Sequence, residues 1–144
     1  MDFVNEFETD IMPYVESHYR TIPDRGHRAI AGLSMGGTQT LNIAFGNLDR
    51  FSAVGVFSSG ILVGSLDEWE KNHRSVLDDV EIKKGLKTIW FSTGSSDPFI
   101  NNSRAAVEML KRHGFSPSFQ ESAGGHSWVN WRNYLHELVP RLFR

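Results

Sequence analysis

Apolar and polar positions along this chain follow two alternating rhythms. Phe3, Phe7, Ile11, Tyr14 or Val15, and Tyr19 recur near every 3.6 residues, which predicts a helix from Phe3 to Arg20 with Pro13 as a kink. Arg28 to Leu33 is a short apolar run of strand length. Leu41, Ala44, Phe45 and Leu48 lie three or four apart and predict a helix over Thr38 to Asn47. Phe51 to Phe57 reads as a second strand ending at Ser58-Ser59-Gly60. Leu66 to Val80 is polar and helical in character, with Trp69 as its anchor. Thr88 to Ser92 is a third strand. Ser103 to His113 is an amphipathic helix with Ala106, Val107 and Leu110 on one face and Gly114 as its stop. Ser118 to Glu121 is a fourth strand, and Trp131 to Phe143 a final helix carrying Leu135, Leu138 and Leu142 on one side.

A helix followed by four strand–helix units predicts an α/β fold: a mostly parallel sheet of about four strands with flanking helices on both faces. No repeat, low-complexity tract or linker divides the chain, so residues 1–144 read as a single domain. In such sheets ligands bind beyond the carboxyl ends of the strands. Ser34, Asp97 and His126 each follow a predicted strand at that end.

Composition narrows the picture without fixing it. The chain of 144 residues is 40% hydrophobic and 22% charged, ordinary values for a globular protein with a core. A net charge of −2 offers no electrostatic argument for nucleic acid or an anionic membrane. No apolar run is long enough to span a bilayer. Met1 leads into an acidic amphipathic stretch without the basic, then apolar pattern of a secretory signal. The absence of cysteine excludes disulfides, thiolate catalysis and cysteine-based metal sites, but leaves the compartment open.

The sharpest chemical signal is Gly32-Leu33-Ser34-Met35-Gly36, a Gly-x-Ser-x-Gly between a predicted strand and a predicted helix. A serine hydroxyl is a weak nucleophile until a base takes its proton and the backbone holds it exposed. A strand–turn–helix elbow does the holding, and glycines two before and two after the serine remove Cβ atoms from the tight turn. The plainer alternative is a strand–helix turn with a capping serine.

His126 is the candidate base, because the Gly124-Gly125 loop can bring its imidazole over the elbow. The alternative is a turn histidine bonded to backbone. His18, His73, His113 and His136 fall in predicted polar helices, where solvation is expected, and His27 lies at the wrong end of its strand. Asp97, in Gly-Ser-Ser-Asp-Pro, is the candidate acid that orients the imidazole, against an ordinary turn aspartate. Asp78 and Asp79 are weaker rivals in a charged helical stretch. The chain order Ser34, Asp97, His126 is that of the α/β-hydrolases. Trp131 reads as core packing, Trp128 as either core or the wall of an acyl pocket, and Ser58 and Ser59 as either pocket or turn residues.

Together these segments resemble the esterase D branch of the α/β-hydrolases, and within it feruloyl and acetyl-xylan esterase domains of the carbohydrate esterase type. The resemblance rests on His27-Arg28-Ala29-Ile30-Ala31-Gly32-Leu33-Ser34-Met35-Gly36-Gly37, Asp49-Arg50-Phe51-Ser52, Gly94-Ser95-Ser96-Asp97, and Gly124-Gly125-His126-Ser127-Trp128 with Trp131. It implies Ser34 as nucleophile, His126 as base, Asp97 as orienting acid and Met35 N–H as one oxyanion donor. Ser58 and Trp128 then become substrate-binding candidates. It implies a small-molecule or polysaccharide ester substrate, first of all feruloyl or acetyl groups on plant xylan, and a mechanism needing neither metal nor organic cofactor. Relatives include siderophore esterases, formyl-glutathione thioesterases and mycolyl transferases, so an acyltransferase with the same three residues stays open.

Members of that family carry several strands before the helix that opens this chain, including a loop that donates the second oxyanion N–H. The expectation is therefore a partial α/β-hydrolase domain whose first strand exposes an apolar edge. Such a half-domain is inactive or assembly-dependent, or it pairs its edge in a homo-oligomer. A full-length relative is compatible with a secreted or periplasmic location.

Overall fold

The computed structural model describes residues 3–144; Met1, where the acidic opening stretch starts, and Asp2 lie outside the described residues. Four parallel strands, β1 (Ala29–Leu33), β2 (Ala53–Phe57), β3 (Thr88–Gly94) and β4 (Ser118–Ser122), stand in sequential order in one sheet. The register pairs Leu33 with Phe57, Phe57 with Ser92, and Gly94 with Ser122, so the strand ends form one rim. All five residues of β2 are buried, whereas β1 and β4 are only part-buried. That gradient is the signature of central and edge strands.

Side-chain alternation divides the core in two. Val54, Val56, Ile89 and Phe91 point to the face covered by α3 (Met35–Gly46) and α7 (Ile100–Arg112), where Leu41, Phe45, Val107 and Leu110 meet them. Phe57 and Trp90 point to the other face, against Tyr134 and Leu138 of α8 (Trp128–Leu138). Removing each fully buried apolar side chain from water stabilises the fold by about 1.5–3 kcal/mol. Helices flank both faces of a parallel sheet, as the strand–helix alternation implies.

Several boundaries differ from the sequence expectation, each for a local reason. The opening helix is interrupted: α1 (Phe3–Glu6) passes through a π turn at Phe7–Ile11 before α2 (Met12–His18), with Pro13 in the first turn of α2, where its missing N–H costs nothing. The stretch expected as one helix from Leu66 to Val80 is three short ones, α4 (Leu66–Asn72), α5 (Arg74–Asp78) and α6 (Val80–Lys84). Asp79 breaks the run by accepting the N–H groups of Glu81 and Ile82 as an N-cap. Trp69 does anchor this region: its Nε1 donates to Asn42 Oδ1 at 2.7 Å and its ring meets Phe45 edge-on. The last helix begins at Trp128 rather than Trp131 and gives way at Val139 to a 3-10 turn containing Pro140. Among the described residues no helix is long and apolar enough to cross a membrane.

Candidate active site

Ser34 sits between the last residue of β1 and the first of α3, at φ 54° and ψ −126°. A side chain at positive φ is strained, typically by about 1–2 kcal/mol, so the surroundings must impose it. They do. A Cβ on Gly32 would collide with the Gly36 carbonyl and Thr40, and one on Gly37 with Ser59. Gly36, two after the serine, has open space around its Cβ position. The glycine that the elbow needs on its helical side is therefore Gly37, where α3 meets the end of β2, and not Gly36. Met35 opens α3, so its N–H has no acceptor within the helix.

Asp97 follows β3 in a tight turn, its side chain wholly buried. Its two oxygens have separate partners. Oδ1 accepts the Phe99 N–H at 2.9 Å and fixes the turn; Oδ2 stands 3.0 Å from His126 Nδ1. His126 occupies the loop between β4 and α8. Its Nε2 is 3.0 Å from Ser34 Oγ, across 92 residues of sequence. Ser34, His126 and Asp97 thus form one hydrogen-bonded row. Asp78 and Asp79 are not part of it: Asp78 pairs with Arg74 and His113, and Asp79 caps α6.

The His126 loop is held from two sides. Ser95 N–H donates to the Ser122 carbonyl and Ser96 N–H to the Gly124 carbonyl, at 2.8 and 2.9 Å. On the other side Asn130 Nδ2 donates to the Ala123 carbonyl and to Tyr134 Oη, while Ser122 Oγ and Tyr134 Oη are 2.6 Å apart. Asn130 and Tyr134 escaped the sequence reading. Their signal was an amide four residues before a tyrosine in the first turns after the histidine loop. Phe99, whose ring lies 5.2 Å from the imidazole at 72°, was missed as well.

The other candidates land in different settings. Trp128 is exposed and meets the Trp131 ring at 5.1 Å, nearly perpendicular. Trp131 is half-buried on the edge of the Tyr134–Leu138 cluster. Leu33, Phe57, Trp128, Trp131 and Leu135 line an apolar groove of about 450 Å³ beside the elbow. A groove of about 510 Å³ at the opposite end of β1, near Arg28 and Met12, contains none of the site residues. Ser58, expected to face substrate, is instead wholly buried; its Oγ accepts the Trp131 Nε1–H at 2.9 Å. His113, expected to be solvated, has a largely buried ring between Glu70 and Asp78, at 2.9 and 2.7 Å. Hydrogen bonding from His113 holds the Glu70 carboxyl below its usual range, with Arg112 adding to the effect.

Among solved structures, a ferulic acid esterase is 27% identical, aligns over 99% of this chain and 62% of its own, and superposes with a TM-score of 0.80. The feruloyl esterase module from Clostridium thermocellum, in complex with sinapinate, reaches a TM-score of 0.85 at 23% identity, over 99% of this chain and 58% of its own; it speaks to the fold alone. A ferulic acid esterase from Anaeromyces mucronatus, in complex with ferulic acid, has a TM-score of 0.80 at 25% identity, over 98% of this chain and 54% of its own. By sequence, an endo-1,4-beta-xylanase/feruloyl esterase of Xylanibacter ruminicola is 28% identical over 94% of this chain and 17% of its own length. The chain thus spans little more than half of the solved esterases it superposes on, and a smaller share of that two-activity relative. The fold is that of the α/β-hydrolase esterases. Residues 2–142 match the family described as "Putative esterase", and the chain belongs to that family.

Proposed function

We propose that this chain is a serine carboxylic-ester hydrolase acting on feruloyl or acetyl esters of plant cell-wall polysaccharide. The observation that carries the reading is the row Ser34 Oγ, His126, Asp97, with both contacts at 3.0 Å. Family membership and the feruloyl and acetyl esterase relatives support the ester class.

In this mechanism Ser34 Oγ attacks the ester carbonyl carbon as His126 Nε2 takes its proton. The carbonyl oxygen becomes an oxyanion beside the Met35 N–H, at the positive end of α3. Collapse of the tetrahedral adduct breaks the bond to the alcohol, which leaves with the proton held on Nε2. Water then attacks the acyl-serine, again through Nε2, and releases the acid. Asp97 keeps the proton on Nδ1, so that Nε2 is free to accept. Trp128 and the apolar groove receive the acyl group or the sugar-bearing side of the ester.

The test is hydrolysis of para-nitrophenyl acetate and methyl ferulate by the wild type beside Ser34→Ala. Turnover that disappears in the variant supports the reading; equal rates in both would refute it.

A second reading has its own observation. Among the described residues β1 pairs on one side only, and apolar grooves flank that free edge. Activity then depends on a strand added to β1, from a second copy or from further chain, which also contributes the second oxyanion donor. Light scattering at micromolar concentration separates the two: a monodisperse, fully active monomer of this chain excludes assembly.

A further inference from the structure

We infer that Trp131, clamped by Ser58, is a positioning residue that sets the tilt of the His126 imidazole. The inference rests on the esterase reading for its kinetic consequence, but not for its geometry.

Two hydrogen bonds hold His126, and they lie at opposite ends of the ring, at Nδ1 and Nε2. Such a pair fixes the ends of the ring but leaves it free to rock about the line joining them. Something must act on the ring faces and flanks. Trp131 does so, its ring 4.8 Å from the imidazole at an interplanar angle of 88°, and Phe99 adds a second contact at 5.2 Å and 72°. Perpendicular aromatic contacts of this spacing are favourable and directional.

A tryptophan orients its neighbour only if it is itself fixed. Trp131 is fixed by its Nε1–H, which donates to Ser58 Oγ at 2.9 Å. Ser58 is anchored in turn: it is wholly buried, and its N–H donates to the Ser92 carbonyl at 2.8 Å. The backbone of Ser58 supplies the second, independent sign. Its φ is 49°, a conformation glycine adopts freely and serine does not. A strained serine where glycine would be easier is accounted for by the hydroxyl that glycine lacks, and that hydroxyl is the one holding Trp131. The chain of contact runs from the end of β3 through the end of β2 to α8, and from there to the base.

Glycine at position 58 gives a test that separates positioning from bulk stability. Ser58→Gly relieves the backbone strain while releasing Trp131. Trp131→Phe keeps a ring on the imidazole and removes only the donor. We expect both variants to remain folded by circular dichroism, with each losing between about 5- and 100-fold in the rate of Ser34 modification by a fluorophosphonate. The Ser58→Gly/Trp131→Phe double variant should be no slower than the slower single, because both break one contact. Multiplying losses, or wild-type labelling rates in both singles, would overturn the proposal. A second readout stands apart from reactivity. The ring Nδ1–H resonance of His126 should be sharp in the wild type and exchange-broadened in both variants; an unchanged signal would overturn the proposal. Labelling that is as fast in Ser34→Ala as in the wild type would instead overturn the esterase reading, and the His126 resonance would then decide the role of Trp131 alone.

Discussion

Asp97 divides its carboxylate between two tasks: Oδ1 closes a turn on the Phe99 N–H while Oδ2, 3.0 Å from His126 Nδ1, faces the imidazole. This makes Asp97→Asn a selective lesion. The amide oxygen can keep the turn, but an amide NH2 directed at Nδ1 favours the wrong tautomer. The expected result is a folded protein with kcat reduced by about 10⁴-fold. Loss of fold by circular dichroism would instead make the residue structural.

The backbone at Ser34 predicts a gain in stability when the proposed nucleophile is removed. Ser34→Gly removes the proposed nucleophile and also the strain at φ 54°. It should melt a few degrees above Ser34→Ala, which keeps the strain. Calorimetry of the two variants checks this.

Gly32 and Gly36 belong to one motif but predict opposite outcomes. Gly32→Ala meets the Gly36 carbonyl and Thr40 and should cost about 1–3 kcal/mol by overpacking, with displacement of the elbow and lost activity. Gly36→Ala enters open space inside α3 and should stabilise by about 0.5–1 kcal/mol. Denaturant unfolding of both variants measures the difference.

Trp128 is 75% exposed, so its removal should barely touch stability. If it walls the acyl groove, Trp128→Ala raises KM for methyl ferulate several-fold, as loss of an aromatic contact of about 0.5–1.5 kcal/mol requires. The KM for acetyl esters, with no ring to stack, should move less.

Acid stability should depend on the cluster around His113. The carboxyl of Glu70 is held below its ordinary 4.5, first by the hydrogen bond from His113, and that of Asp78 below 3.8, first by Arg74 and then by His113. A depressed carboxylate stabilises the fold fully above its unfolded value and loses that contribution as pH falls through the depressed one. Melting temperature should therefore drop below about pH 4.5, and the gap between wild type and Glu70→Gln should narrow as it does. A gap constant down to pH 2.5 would contradict this.

The strands, their order along the chain and the elbow were legible because parallel strands read as short apolar runs and Gly-x-Ser-x-Gly has a backbone reason. Ser34, Asp97 and His126 were legible as ends of strands. Less was readable where two segments far apart in sequence meet. That Gly37 rather than Gly36 is the tight glycine depends on Ser59; that Ser58 turns inward depends on Trp131. Neither contact leaves a periodic trace. The break at Asp79 was hidden by helical composition on both sides, since a capping aspartate and a helical aspartate are the same letter. His113 looked solvated because its acidic partners come from two other helices.

The sequential order of the strands has a kinetic meaning. Ser34, Ser58, Asp97 and His126 are contributed one each by the ends of β1, β2, β3 and β4, so on the proposed mechanism no subset of strands holds a reactive serine. During refolding, secondary structure can appear early, but nucleophilicity at Ser34 must wait for the last strand to dock. On that mechanism, reactivity of this chain toward an acylating reagent becomes a clock for completion of its sheet.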